Sequence, residues 1–223
     1  MNSEIELENV DPEDIEDILK KAEKSFDIKF IPNELAYVTN FGQLCDHIID
    51  KIKVEETDGC TSQQAFYKLQ DALSEVLNLE KKQITPQAQL QKFLGREARR
   101  KVVNQLEKRL GFKISILQPP AWLTLVLVVA LFVSFFSIFW NWKLGIPGLA
   151  LSVIALMLAN KFGKELNLKT VGAVAKKMSH EHYLKSRRNS KTVNKEELEK
   201  LLTAWFKNDL VLDKLNRESA LNK

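Results

Sequence analysis

The stretch "LQKFLGREARRKVV", residues 90–103, has the outline of an attachment point. Leu94 and Gly95 open what reads as a helix. The residues that follow, Arg96, Glu97, Ala98 and Arg99, offer no hydroxyl, thiol or imidazole to serve as a nucleophile. The run does offer positive charge, from Arg96, Arg99, Arg100 and Lys101.

Other chemistry-bearing residues are sparse. In "SHEHY", His180 and His182 stand two apart and face away from each other on a helix, so they do not share a metal and read as surface polar residues. The third histidine, His47, lies on a helix flank. "KSRRNSK", residues 185–191, is a basic linker whose Arg187 and Arg188 are candidates for headgroup or partner contact. Cys45 lies on an apolar stripe and is expected to be buried; Cys60, at a helix start, is expected to be more exposed. The acidic N-terminus lacks the apolar core of a secretory signal, so both thiols are read as reduced in a cytoplasmic setting. There is no phosphate-binding glycine loop, no zinc-protease motif, and no Ser, Cys or Asp near a histidine in sequence. The expectation is a protein that is not an enzyme and uses no cofactor or metal.

The elements that position these residues start with a membrane segment. Ala121 to Trp142, "AWLTLVLVVALFVSFFSIFWNW", is 22 residues without a charge, enough to cross roughly 30 Å of hydrocarbon as a helix. Pro119 and Pro120 stop any helix before it, and Trp122, Trp140 and Trp142 mark its two interfaces. Leu144 to Asn160 follows with 17 uncharged residues, and a turn around Lys143 to Gly148 makes the pair a helical hairpin. The turn carries Lys143 alone, whereas residues 61–118 hold 11 basic residues and residues 161–223 hold 15. By the charge rule both flanks are expected to be cytoplasmic, with the hairpin in the inner membrane. Charge is also uneven along the chain, with a net of −10 over residues 1–60 and +14 over the rest.

The remainder reads as amphipathic helices without strand alternation. Asp11 and Pro12 start one that carries Ile15, Ile18, Leu19, Ala22 and Phe26. Thr39 or Asn40 caps Phe41, Leu44, Cys45, Ile48 and Ile52, and Thr61 with Gln64 forms a capping box before Phe66, Leu69, Leu73, Val76 and Leu77. Thr170 caps Val171, Val174, Ala175 and Met178. Leu198, Leu201, Leu202, Trp205 and Phe206 then share the last face. Narrow stripes must pack on one another, which predicts an all-α chain of small helical bundles.

Internal similarity runs through these pieces. "KSFDIKF" (24–30) matches "KRLGFKI" (108–114). "VTNFGQLCDHI" (38–48) matches "LKTVGAVAKKM" (168–178), with Gly42 on Gly172. "FYKLQDALSEVLNLEKKQITP" matches "LEKLLTAWFKNDLVLDKLNRE". Together they resemble acyl and peptidyl carrier proteins, whose bundle runs from a long first helix through an "ITPxxxL" loop and an "LGxDSL" attachment motif. A second helix ending "LExxFGIxI" and a third opening "TVGDL" complete it. Residues 70–114 look like the first half of such a domain, and residues 25–52 like a second half.

The resemblance implies five segments: 1–58 an acidic carrier-like half, 59–118 a basic first half, 119–162 the transmembrane hairpin, 163–189 the third helix of the second copy, and 190–223 an amphipathic helix completing the N-terminal bundle. It also implies a phosphopantetheine on a serine. Here the motif places Ala98 at that position in one copy and Pro12 in the other, so neither is loaded. The family's corresponding helix is acidic and docks on basic enzymes, unlike Arg96, Arg99, Arg100 and Lys101. The expected function is therefore a non-catalytic, membrane-anchored carrier-like protein that docks or scaffolds another protein at the cytoplasmic face. Two alternatives are an active carrier or acyl-transfer component with a non-standard attachment residue, and an anionic-lipid-binding regulator. The bilayer is an expected partner; nucleic acid is not, since no helix-turn-helix spacing accompanies the charges.

Overall fold

The computed structural model describes residues 10–212 and 214–220. Residues 1–9 of the acidic N-terminal half, and residues 213 and 221–223 of the C-terminal segment, lie outside that description. Among the described residues helix dominates, and strand is confined to four two-residue strands in two pairs. The chain divides into two units, one built from residues 1–69 with 175–223 and the other from residues 70–174.

The first unit contains α1 (Pro12–Phe26), α2 (Phe41–Ile52), α9 (Tyr183–Ser186) and α10 (Lys195–Asp209). It also holds a parallel pair of β1 (Glu55–Glu56) with β4 (Thr192–Val193). Asp11 caps α1 by accepting the Glu13 amide at 3.0 Å, and Pro12 supplies a preset φ in the first turn. Asn40 caps α2 by accepting from the Gln43 amide at 2.9 Å, which settles the choice between Thr39 and Asn40. Ile18, Ala22 and Phe26 of α1, Phe41, Leu44 and Ile48 of α2, and Leu198, Leu202, Trp205 and Phe206 of α10 form one continuous core. The Phe41 and Phe206 rings meet edge to face at 5.0 Å. Cys45 is fully buried there, and desolvation pushes its thiol up to about 12, so it behaves as a small apolar side chain.

The second unit contains α4 (Leu90–Phe93), α5 (Arg99–Leu110), α6 (Ala121–Trp140) and α7 (Trp142–Phe162). An antiparallel pair of β2 (Leu117–Gln118) with β3 (Glu165–Leu166) joins the two ends of the α6–α7 pair. Helices α3 (Thr61–Leu77) and α8 (Val171–Glu181) contribute residues to both units. The expected local capping box on α3 is replaced by a distant carboxylate: Glu197 accepts the Thr61 amide at 2.9 and 3.1 Å, and Thr61 becomes the first helical residue.

Helices α6 and α7 are each long and apolar enough to cross a membrane, and few of their residues are buried within the protein. Twenty residues at 1.5 Å each give about 30 Å, the depth of the hydrocarbon layer. Leu125, Phe132, Phe136, Leu151 and Met157 all point outward, as lipid-facing residues do and water-facing residues rarely do. The reversal falls at Asn141 rather than across Lys143 to Gly148, which are helical and include Pro147. Small residues explain the difference. A Cβ at Gly145 would stand 2.6 Å from the Ile138 amide nitrogen, and one at Gly148 would stand 2.8 Å from Ser134 Oγ. This close approach draws the start of α7 onto α6 and lengthens the second span to 21 residues.

Both units are closed by the same hydrogen-bond pattern. Gly42 donates to the Arg217 carbonyl at 2.7 Å, Phe41 donates to Ser219 at 2.9 Å, and Asn40 bridges to Ala220. In the second unit Gly172 donates to Pro86 at 2.8 Å, Val171 to Ala88 at 3.0 Å, and Thr170 bridges to Gln89. A Cβ on either glycine would lie 2.9 Å from the accepting carbonyl oxygen, so only glycine fits the approach. The helix ends match as well. Asp27 after α1 and Gly111 after α5 are left-handed, and Glu23 and Glu107 accept the Phe30 and Ile114 amides at 2.7 and 2.9 Å.

Candidate functional site

The helix starts singled out by the sequence, Pro12 and Ala98, sit in contrasting surroundings. Pro12 follows the Asp11 cap, and Glu13, Asp14, Glu16 and Asp17 crowd the exposed first turns of α1. Acidic side chains favour the positive end of the helix dipole. Ala98 precedes α5 with no side-chain cap, and the first turn holds Arg99, Arg100 and Lys101. Helix α5 is also shorter than α1, 12 residues against 15. Counted back from the matching ends Phe26 and Leu110, Pro12 aligns with Arg96 rather than Ala98. On either alignment the side chain is not a hydroxyl.

The basic cluster separates into inward and outward members. Arg99 is only 4% exposed; its Nε donates to the Leu94 carbonyl at 3.0 Å and its Nη1 to the Lys164 carbonyl at 2.6 Å. It is therefore an internal tie between α5 and the segment after α7, not a surface contact. Arg96 pairs with Glu165 at 2.9 Å. Arg100 lies over the Phe162 ring, 4.7 Å from its centroid, and Lys101 is exposed. Next to them, a Cβ at Gly163 would stand 2.4 Å from the Gln118 carbonyl carbon, so the two ends of the hairpin are held in backbone contact.

The other basic pair splits the same way. Arg188 is exposed, with its guanidinium 5.8 Å from the Tyr67 ring. Arg187 is buried: it donates from Nη1 to Thr61 and Tyr183, from Nε to Thr192, and stands 3.9 Å from Glu197. Burial alone would raise the Glu197 carboxyl, but hydrogen bonds from Thr61 and Cys60, with the Arg187 charge, bring it below its ordinary value. Trp122, Trp140 and Trp142 are all exposed at the hairpin's ends. His180 is half-buried and His182 buried, and no cluster among the described residues has the donor set for a metal.

Two features of the first unit escaped the sequence reading. Glu34 Oε1 accepts from Lys51 at 2.5 Å and meets His47 Nε2 at 3.1 Å, and His47 Nδ1 contacts the Tyr37 hydroxyl at 2.5 Å. The Lys51 hydrogen bond, then the Ile31 amide, hold the Glu34 carboxyl down to about 2. This carboxylate–imidazole–phenol chain staples the loop between α1 and α2. Beside it lies a groove of about 850 Å³ lined by Ile15, Leu19, Phe30, Leu35, Val38 and Leu44. Neither shows in sequence because their members lie in an irregular loop and on two separate helices.

Comparison with known proteins adds no relative: no family model, no curated protein and no solved structure matches the chain.

Proposed function

We propose that this chain is a membrane-anchored, non-catalytic carrier-like protein that docks or scaffolds a partner protein at the cytoplasmic membrane face. The observation that carries the reading is the repeated closure. Two units use the same glycine-to-loop hydrogen bonds and the same glutamate-capped helix end, as duplicated carrier-like bundles would, while both helix starts lack an acceptor hydroxyl. The exposed acidic start of α1 suits a basic partner surface.

Membrane anchoring is supported by the two exposed apolar helices. The first unit's core joins residues before the hairpin to residues after it, which supports an even number of crossings with both flanks on one side. The excess of lysine and arginine in those flanks supports a cytoplasmic assignment for that side.

Intact mass spectrometry of the full chain co-expressed with a phosphopantetheinyl transferase tests the central point. The expected mass is that of the unmodified polypeptide. One added phosphopantetheine would overturn the reading and favour an active carrier with a non-standard attachment residue. A reporter fused after Lys223 is expected to be active only in the cytoplasm; activity outside would remove the orientation.

A further inference from the structure

We infer that the root of the hairpin is a binding site for anionic phospholipid headgroups, made by Arg100, Lys101, Lys161 and Lys164. The inference rests on the membrane-anchored reading and says which lipid the anchor selects.

The site is assembled by contacts that fix two basic segments together. Residues 96–101 and 161–165 carry six basic and two acidic side chains. Arg99 ties them by reaching the Lys164 carbonyl, the β2–β3 pair fastens the chain on either side of the hairpin, and Gly163 lies against the Gln118–Pro119 backbone. Of the two acids in these segments, Glu165 is engaged by Arg96 and lies 3.8 Å from Arg99. Among the described residues no ion pair holds Arg100, Lys101, Lys161 or Lys164, and Lys101, Lys161 and Lys164 are exposed.

The position of this charge selects the partner. Lys161 and Phe162 end the second span, and Trp122 lies one residue into the first, 67% exposed, as an interfacial indole is. Phe162 belongs to the same apolar edge, and the Arg100 guanidinium rests on its ring. A cation stacked on a ring at the end of a span stands at phosphate depth with its aliphatic stem toward hydrocarbon. Each basic group near an anionic leaflet contributes on the order of 1 kcal/mol of attraction. A soluble acidic protein would have to reach the same groups through the headgroup layer, so the lipid phosphate is the favoured ligand.

The test uses the full chain, purified in mild detergent with equal amounts of phosphatidylglycerol and phosphatidylcholine, and counts retained lipid by native mass spectrometry. The wild type is expected to retain phosphatidylglycerol in about tenfold preference. The triple variant Arg100→Gln, Lys161→Gln, Lys164→Gln is expected to fall to near parity. A charge-matched control, Lys81→Gln, Lys82→Gln, Lys108→Gln, and the conservative Arg100→Lys are expected to keep the preference, which separates the site from bulk charge and from misfolding. Equal retention of both lipids by the wild type, or an unchanged preference in the triple variant, overturns the inference. So does loss of a co-purifying acidic protein from the triple variant with no change in lipid ratio. Alkaline carbonate extraction distinguishes the two readings: a chain released from membranes removes the anchor itself, whereas a retained chain without lipid preference removes only the headgroup site.

Discussion

The two units close alike and diverge at two places. Their glycine hydrogen bonds, bridges and left-handed helix ends correspond, yet α1 starts acidic and capped by Asp11 while α5 starts basic and uncapped. The connection after the glutamate-capped helix also differs. In the first unit it is a loop, residues 27–40, stapled by Glu34 and His47; in the second it holds the whole apolar pair α6 and α7. The closure is what such a bundle needs to hold together. The helix start and the connection are where the units differ, one carrying negative charge and a groove, the other positive charge and two helices apolar enough to cross a membrane.

The largest test of this comparison removes α10. A chain stopped after Asn194 loses Leu198, Leu202, Trp205 and Phe206 from the first core, so hydrogen exchange in α1 and α2 should approach that of an unfolded chain while α5 keeps its protection. Retained protection in α1 would mean that the first unit does not depend on α10.

The glycines come next. Gly42→Ala and Gly172→Ala each force a methyl to within 2.9 Å of a carbonyl oxygen, and each should cost about 1–3 kcal/mol, confined to its own unit. Exchange measured unit by unit checks this, and a marked inequality between them would break the equivalence.

A smaller, pH-dependent effect belongs to the first unit. The Glu34 carboxyl is held near 2, against about 4.3 in an unfolded chain, so its contribution is present above the unfolded value and is lost as pH falls through the folded one. Exchange in residues 27–40 should therefore rise between about pH 4 and pH 2, and Glu34→Gln should abolish that dependence. The smallest effect is a gain. Val211 is a β-branched residue at φ 53°, and Val211→Gly should raise stability by about 1 kcal/mol in thermal unfolding.

Much of the fold was legible because caps and stripes are local signals. Asp11, Asn40, Thr170, the alignment of Gly42 with Gly172, and both apolar runs could be read from residue type and spacing. The missed features depend on distance along the chain. Glu197 caps α3 from 136 residues away, and nothing near Thr61 announces it. The hairpin turn lies earlier than its residues suggest, because Lys143, Gly145 and Pro147 have the composition of a loop and only the packing of Gly145 on Ile138 and Gly148 on Ser134 makes them helical. At the candidate site, charge was visible but direction was not. Arg99 and Arg187 look like their neighbours in sequence, and only the carbonyl and hydroxyl partners they find decide that they point inward.

The interrupted layout of the first unit also orders events during synthesis. Helices α1 and α2 leave the ribosome before the hairpin, and α10 leaves after it, so Phe26, Phe41 and Ile48 stay uncovered until both spans have been made. On the proposed membrane-anchored reading, a chain whose α7 does not insert leaves α10 across the bilayer from the surface it covers. On that reading completion of this core reports on insertion, and in any case a chain that lacks α10 carries an open apolar face of the kind chaperones and proteases engage.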